Sequence, residues 1–458
     1  MNLLNGKLVE NNAEIPLVKS YEDVMSFKRV SKVCELGLSR AIALACLEIV
    51  KLETDGVTSA LDAVNSFGAA GMQWAKHFLS ENISITVNTA LGLDDVCKKW
   101  LNENNCPTDS VKVVSMDPQV LMHSSKHKFV YLEVTGTVVP YLDAAVRSVN
   151  HNGLLCVTCT DTSTLYNKCP TTAQRLYGAN LLKNEYCKEV AIRVIISNIA
   201  QSAARWNKGI KVELCASVEP GFTVVCRVLR GPKHGDISTS SIQLLEHCQL
   251  CQARRFKPRT KYITYGNGKT LCRCSTEEAA APLLSLGPMW SGSIFQPEFV
   301  LKTCLTAKQM NLSLEHRKIL ELILLESVCC KTNEEEENLL KHTTQFNGKN
   351  QLNEKSEPEH KKIKLDSEVS SENGPSLTKE MRSYKHIPFY CDFQHHSVKG
   401  GNPPRLLTVL NELRSRGYNA SKTHFGPRCI RTSASVEQFD EILKHLWEVT
   451  TKHNGVKV

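Results

Sequence analysis

Apolar residues run almost unbroken from Phe129 to Val134 and again from Leu154 to Cys159, and between them the spacing lengthens to a helical period. The pattern predicts a strand over 129–134, a glycine-marked loop over Thr135–Val139, a proline-started helix over Pro140–Val149 and a second strand over 154–159. Strands apolar on both faces belong to a buried parallel sheet, and such sheets take ligands at the carboxyl ends of their strands, here Glu133–Thr137. Upstream, Leu38, Ile42, Ala45, Cys46, Ile49 and Val50 mark one face of a helix over about Lys32–Glu53. Strands follow at Thr58–Val64, Ile83–Val87 and Val111–Val114. The first of them runs through the turn Asn65–Gly71 into a helix ending near Leu79, a cradle in which glycine lets the backbone approach a nucleotide-like ligand. A plain strand-to-helix turn has the same pattern. Downstream, a helix over Lys183–Trp206 precedes two strands, Lys211–Ser217 and Phe222–Leu229, paired across Glu219-Pro220-Gly221. The fold class is therefore α/β, with a doubly wound, Rossmann-like sheet.

Leu301–Cys329 has a helical period, after which apolar residues thin out. Lys331–Glu380 carries Glu334–Glu337 in a row and a single aromatic residue, Phe346, which predicts a disordered insert. Order returns from Ile387, with a helix over Pro404–Arg416. The predicted divisions are an N-terminal segment (1–27), the sheet domain (28–235), a cysteine cluster opening a C-terminal domain (236–330), the insert (331–384) and a basic end (385–458).

Composition adds little to fold class: 458 residues suffice for two or three domains, and 41% hydrophobic with 22% charged residues is ordinary for a soluble chain. The start lacks a basic segment followed by an apolar one, and the longest apolar run, Ala41–Val50, is too short to span a bilayer, so an intracellular protein without a membrane partner is expected. Charge distribution says more than the net +9. Met381–Val458 holds 12 Lys and Arg against 6 Asp and Glu, and His247–Cys274 holds 7 basic residues and no acid. Two basic segments on a near-neutral remainder suit a polyanion better than a metabolite. Most of the 19 cysteines are scattered singly through apolar stretches, but Cys248, Cys251, Cys272 and Cys274 form two close pairs. That spacing suits a structural Zn²⁺ site, and four buried thiols are the alternative. Between the pairs, Arg254, Arg255, Lys257 and Arg259 interleave with Phe256, Tyr262 and Tyr265, which suits phosphate contact and base stacking. Lys361-Lys362-Ile363-Lys364 resembles a nuclear address, so the nucleus, with the nucleolus and cytoplasm as further compartments, is the expected location.

Several stretches together resemble one family. Glu133–Gly136 with the PYLDAAVRS and GLLCVTCTD segments after it, LDAVNSFGAAG around the first glycine turn, LYGANLLKNEYCKE, Leu286–Ser291 and Ser421–Phe425 are similar to the tRNA (guanine-26-N2)-dimethyltransferases and their animal dimethyltransferase-like relatives. The resemblance covers roughly residues 30–330 and 385–435. It implies a methyltransferase sheet with a C-terminal tRNA-binding α/β domain, S-adenosylmethionine as methyl donor, and transfer to N2 of a guanine in tRNA by a monomeric enzyme. It further implies cofactor contacts at Asp62, Gly68, Asn88 and Asp117, a catalytic carboxylate at Glu133, and RNA contacts at Arg254, Arg255, Lys257, Arg259, Lys422, His424, Arg428 and Arg431. On this basis Gly68, Asp117 and Glu133 are expected around one pocket, with Glu133 at its floor.

The chain departs from the family pattern where chemistry is done. Glu133 stands for an aspartate, Thr135 for an aromatic ring, Asn88-Thr89 for a pair that includes the ribose-binding acid, and Ala70 and Leu36 for arginines. One added methylene displaces the acceptor oxygen by about 1 Å, enough to cost on the order of a hundredfold in rate. Two readings follow: a guanine-N2 methyltransferase with a remodelled pocket, or a catalytically inactive tRNA-binding paralogue acting as chaperone or scaffold.

Overall fold

The computed structural model describes residues 3–4, 7–10, 13–16, 35–65, 68–78, 82–90, 92–106, 109–258, 271–272, 274, 283–344, 386–396 and 404–453. Arg259, Tyr262, Tyr265 and the lysine run at 361–364 lie outside them. Three short strands open the chain, β1 (Leu3–Leu4), β2 (Lys7–Glu10) and β3 (Ala13–Pro16), paired as an antiparallel meander. The sequence set this stretch apart only as an N-terminal segment.

The central sheet has seven strands: β4 (Thr58–Val64), β5 (Ile83–Asn88), β6 (Val111–Val114), β7 (His127–Val134), β8 (Val149–Cys159), β9 (Lys208–Val218) and β10 (Gly221–Arg230). Their order is β6-β5-β4-β7-β8-β10-β9. The first five are parallel; β10 enters antiparallel between β8 and β9. The order reverses direction at β4, so the carboxyl ends of β4, β5 and β7 surround a crevice. Residues on both faces of β4, β7 and β8 are buried, as the unbroken apolar runs require. The helix Gly37–Leu52 covers the sheet and buries nearly every side chain, Arg40 included. Between β7 and β8 the predicted helix is split into a 3₁₀ turn, Val139–Tyr141, and an α-helix, Leu142–Ser148.

Two further three-stranded sheets follow. One joins β11 (Ile242–Cys248), β12 (Arg254–Lys257) and β13 (Leu283–Trp290); the other joins β14 (Cys391–Asp392), β15 (Ala420–Thr423) and β16 (Gly426–Thr432). The single helical period over 301–329 is two helices, Pro297–Gln309 and Leu314–Val328, the second capped by the Ser313 hydroxyl. Asn333–Thr344, expected in the disordered insert, is a helix. Its three first-turn glutamates favour the helix N-terminus, and Leu339 is buried, two features that average composition does not register.

The last sheet and the helices Leu406–Ser415 and Val436–His453 have a core of their own around Val409, Leu413, Ile430, Phe439 and Leu443. Buried ion pairs bind this module to the rest. The Arg431 guanidinium is shared between Glu189 on the long helix Cys187–Arg205 and Glu326, each at 2.7 Å. Glu189 also holds Arg193, and Glu326 also holds His424. Burial pushes the Glu189 carboxyl up, but Arg431 and Arg193 outweigh it and hold the group well below the usual carboxylate range. Nearby, Arg254 bridges Glu185 to the carbonyl of Tyr390, and His396 lies between Glu185 and Asp440.

Removing Arg431 leaves two buried carboxylates short of a cation. Arg431→Met is therefore expected to cost about 3–5 kcal/mol in denaturant unfolding, whereas Arg428→Met, at an exposed position, should leave the midpoint in place. Equal, small effects of the two substitutions would reject the docking role.

Candidate functional site

A cavity of about 400 Å³ opens at the carboxyl ends of β4, β5 and β6, walled by Ala63, Asn65, Asn88, Thr89, Met116, Asp117 and Tyr141 among others. The turn after β4 is built by short-range hydrogen bonds. Gly68 sits at φ +76°, where a side chain would be strained and would press on Val87. Asn65 accepts from Gly68 N and donates to the Asn88 carbonyl at 2.7 Å. Gly71 lies so close to Val87 that any Cβ would overlap it, which seats the helix Ala69–His77 directly on β5. Asp62 is fully buried below this turn, and its Oδ2 accepts from Gly71 N at 2.9 Å. Among the described residues its Oδ1 has no hydrogen-bond partner. Burial raises the carboxyl to about 7, against the Gly71 hydrogen bond and with the Glu133 charge adding to the rise.

The Asn88 side chain fastens three strand ends together. Its Nδ2 donates to the carbonyls of Ala63 and Met116, and its Oδ1 accepts from Met116 N at 3.0 Å. Both amide hydrogens are thus spent on backbone carbonyls. The Thr89 hydroxyl donates to the Val114 carbonyl at 3.4 Å. Asp117 lines the cavity and also caps the helix Pro118–Ser124, with Oδ1 accepting from Gln119 N and Val120 N. The cap occupies Oδ1 only. Tyr141 was not singled out beforehand. It follows a proline in a 3₁₀ turn and supplies the cavity with its aromatic ring.

Glu133 does not line this cavity. It lies one strand over, at the end of β7, buried against the helix Gly37–Leu52. Arg40 Nη1 donates to both of its carboxylate oxygens at 2.9 Å, and the Tyr131 hydroxyl donates to Oε2 at 3.0 Å. The expected floor position is corrected by this pairing: the buried carboxylate turns to a buried cation on the covering helix. Arg40 was missed in the sequence, although an arginine inside an otherwise apolar helix face signals a buried acid elsewhere.

The four cysteines converge. The Sγ atoms of Cys248, Cys251, Cys272 and Cys274 all lie within 4.8 Å of one another. A tight turn supports the first pair, with Gln252 N donating to the Cys248 carbonyl and Cys248 N to that of Ala253. His247, adjacent in sequence, is not part of the group; its Nδ1 meets the Tyr186 hydroxyl at 2.6 Å.

The basic residues divide into two sets. Arg254, His424 and Arg431 are engaged in the buried contacts described above, so their side chains do not present charge at the surface. Arg255 and Lys257 are 45% and 63% exposed and share Glu246. Arg428 is exposed and Lys422 half-buried.

Asp62 has a pH signature. In the fold its carboxyl stays neutral up to about 7, whereas in the unfolded chain it ionises near about 4. Between these values the unfolded state binds fewer protons, so stability falls as pH rises through that window and levels off above it. Asp62→Asn should flatten this part of the urea-midpoint profile; a profile identical to that of the parent would contradict the assignment.

The model of the family described as TRM, N2,N2-dimethylguanosine tRNA methyltransferase, matches residues 21–355. The tRNA (guanine(27)-N(2))-dimethyltransferases of Rattus norvegicus and Homo sapiens are each 33% identical, over 89% and 84% of this chain and 60% and 56% of their own length. The chain therefore spans about 60% of the length of these animal relatives. The tRNA (guanine(26)-N(2))-dimethyltransferase of Methanobrevibacter smithii is 24% identical over 90% of both chains. A structure of Trm1 from Pyrococcus horikoshii with S-adenosyl-L-methionine shares the fold, with a TM-score of 0.68 over 96% of this chain and 99% of that one at 21% identity. With the model matching well over half of its residues and the animal relatives matching most of the rest, this chain belongs to the N2,N2-dimethylguanosine tRNA methyltransferase family.

Proposed function

We propose that this protein binds S-adenosylmethionine in the cavity over β4–β6 and methylates N2 of a guanine in tRNA. The observation that carries the reading is the cavity's position, at the reversal point of the sheet and beside the glycine turn, in a chain of this family. The lining offers an adenosyl group apolar walls from Ala63, Val64, Met116 and Tyr141, and polar groups from Asn65, Asn88, Thr89, Ser115 and Asp117. Asp62 and Asn88 would hold this shape through the Gly71 amide and the strand ends. Oδ2 of Asp117, outside the helix cap, would accept from an amino group of the ligand. The bound cofactor supplies an electrophilic methyl group.

Guanine N2 is a weak nucleophile because its lone pair is delocalised into the ring, so a nearby acceptor for its hydrogen is needed. Glu133 is the family-position carboxylate, and its oxygens already accept from Arg40 and Tyr131. The pair with Arg40 specifically favours the second reading, a tRNA-binding protein without turnover. Incubation with tRNA and methyl-labelled S-adenosylmethionine separates the two. Label recovered as N2-methylguanine, falling by about a hundredfold or more in Glu133→Gln, supports the enzyme; cofactor and tRNA both bound with no label transferred supports the second reading.

We also propose that the four-cysteine group holds a structural zinc ion. Tetrahedral thiolates about 2.3 Å from the metal place the sulfurs roughly 3.8 Å apart, which is compatible with the observed convergence within 4.8 Å. One zinc per chain is expected on denaturation with a colorimetric chelator, and Cys251→Ser should lose the metal and lower the melting temperature. Stoichiometry near zero in protein purified without chelator would overturn the assignment.

A further inference from the structure

We infer that the face at the amino ends of the parallel strands, opposite the cavity, is a second contact surface for RNA, centred on Lys126, Arg147, Lys208 and Arg230. The inference rests on the proposal that the protein binds tRNA, and adds a site at the far end of the sheet. β7 spans eight residues, which sets this face roughly 25 Å from the cavity at about 3.3 Å per residue.

Four elements bring the cations together. Lys126 precedes β7, Arg147 lies in the last turn of the helix Leu142–Ser148, Lys208 opens β9, and Arg230 closes β10 as the register partner of Lys208. The Lys208 ammonium donates to the carbonyls of Val146 at 2.7 Å, Val149 at 2.9 Å and Arg147 at 3.4 Å, and Lys126 also donates to the Arg147 carbonyl. These carbonyls form the end of a helix. They fix the ammonium groups by partial charge but cancel no full charge.

Among the described residues no carboxylate forms an ion pair with any of the four. The neighbouring Arg205, by contrast, is paired with Asp143 at 2.8 Å. Partial burial, then the surrounding cations Lys126, Arg230 and Arg147, lower Lys208 to about 8, and the same forces act downward on Lys126. A group of like charges that repel one another without an internal counter-charge is relieved by a polyanion.

The Arg147 guanidinium lies 4.6 Å from the centroid of the Trp206 ring, which is 41% exposed. A planar cation stacked on an indole, with further cations beside it, offers a face to an unpaired base and charge to its flanking phosphates. An acidic protein segment would use the charges but has no use for the stack, so RNA is the favoured partner.

The test compares the full chain with Arg147→Gln/Arg230→Gln, using unfractionated tRNA, poly(U) and poly(aspartate) as probes between 50 and 200 mM salt. Both positions are exposed, and melting curves and S-adenosylmethionine binding serve as folding controls. Loss of two phosphate contacts should weaken tRNA binding by about tenfold and reduce the slope of log K against log salt by about 1.8. Trp206→Ala should weaken poly(U) binding several-fold without changing that slope. If the parent binds tRNA and the double variant matches it in affinity and slope, the inference fails alone. If the parent binds neither RNA probe, it fails together with the tRNA reading. Competition by poly(aspartate) stronger than by poly(U), and lost in the double variant, would overturn it in favour of an acidic protein partner.

Discussion

A charge taken out of water must be paired or discharged, and this requirement organises both the candidate site and the assembly of the chain. Arg40 is matched by Glu133, Arg193 by Glu189, and Arg431 by Glu189 and Glu326 together. Asp62 forms no ion pair among the described residues, and it meets the requirement by keeping its proton to about 7. Each solution has a structural result. The Arg431 network docks the C-terminal module, the Arg40 pair closes the end of β7, and neutral Asp62 anchors the glycine turn through Gly71.

The same requirement separates two parts of the candidate site that a linear motif places side by side. The cavity over β4–β6 keeps its shape because Asn88 ties the strand ends, Asn65 ties the turn, and Gly71 admits the helix onto β5. These contacts are made by backbone and neutral amides, and leave the cavity walls with few formal charges. Glu133, the carboxylate proposed to act on the guanine, lies beyond the wall, held by an arginine from a different element. In the proposed function, turnover depends on that ion pair and cofactor binding on the turn.

Basic residues follow a similar division. Those in and just after the family-like stretch Ser421–Phe425 are partly consumed internally: His424 takes Glu326 and accepts from Ser217 N, and Arg431 takes two acids. Surface charge comes instead from residues such as Arg428, Lys257, Arg147 and Arg230. A helix end that demands donors for its last carbonyls gathers lysines for its own reasons, and the positive field on that face is the by-product.

Periodicity, glycine placement and paired cysteines carried the parallel strands, the closing hairpin, the turn at Gly68 and the convergence of Cys248, Cys251, Cys272 and Cys274, because each depends on spacing along the chain. The helix at Asn333–Thr344 was hidden because a composition average cannot see that three glutamates sit where a helix N-terminus wants them. The partner of Glu133, the spending of Asn88 on strand ends, the Tyr141 ring in the cavity and the burial of Arg431 were decided only by tertiary structure. Each joins residues distant in sequence, 93 positions apart for Arg40 and Glu133, and an ion's choice of partner depends on which opposite charge is buried beside it.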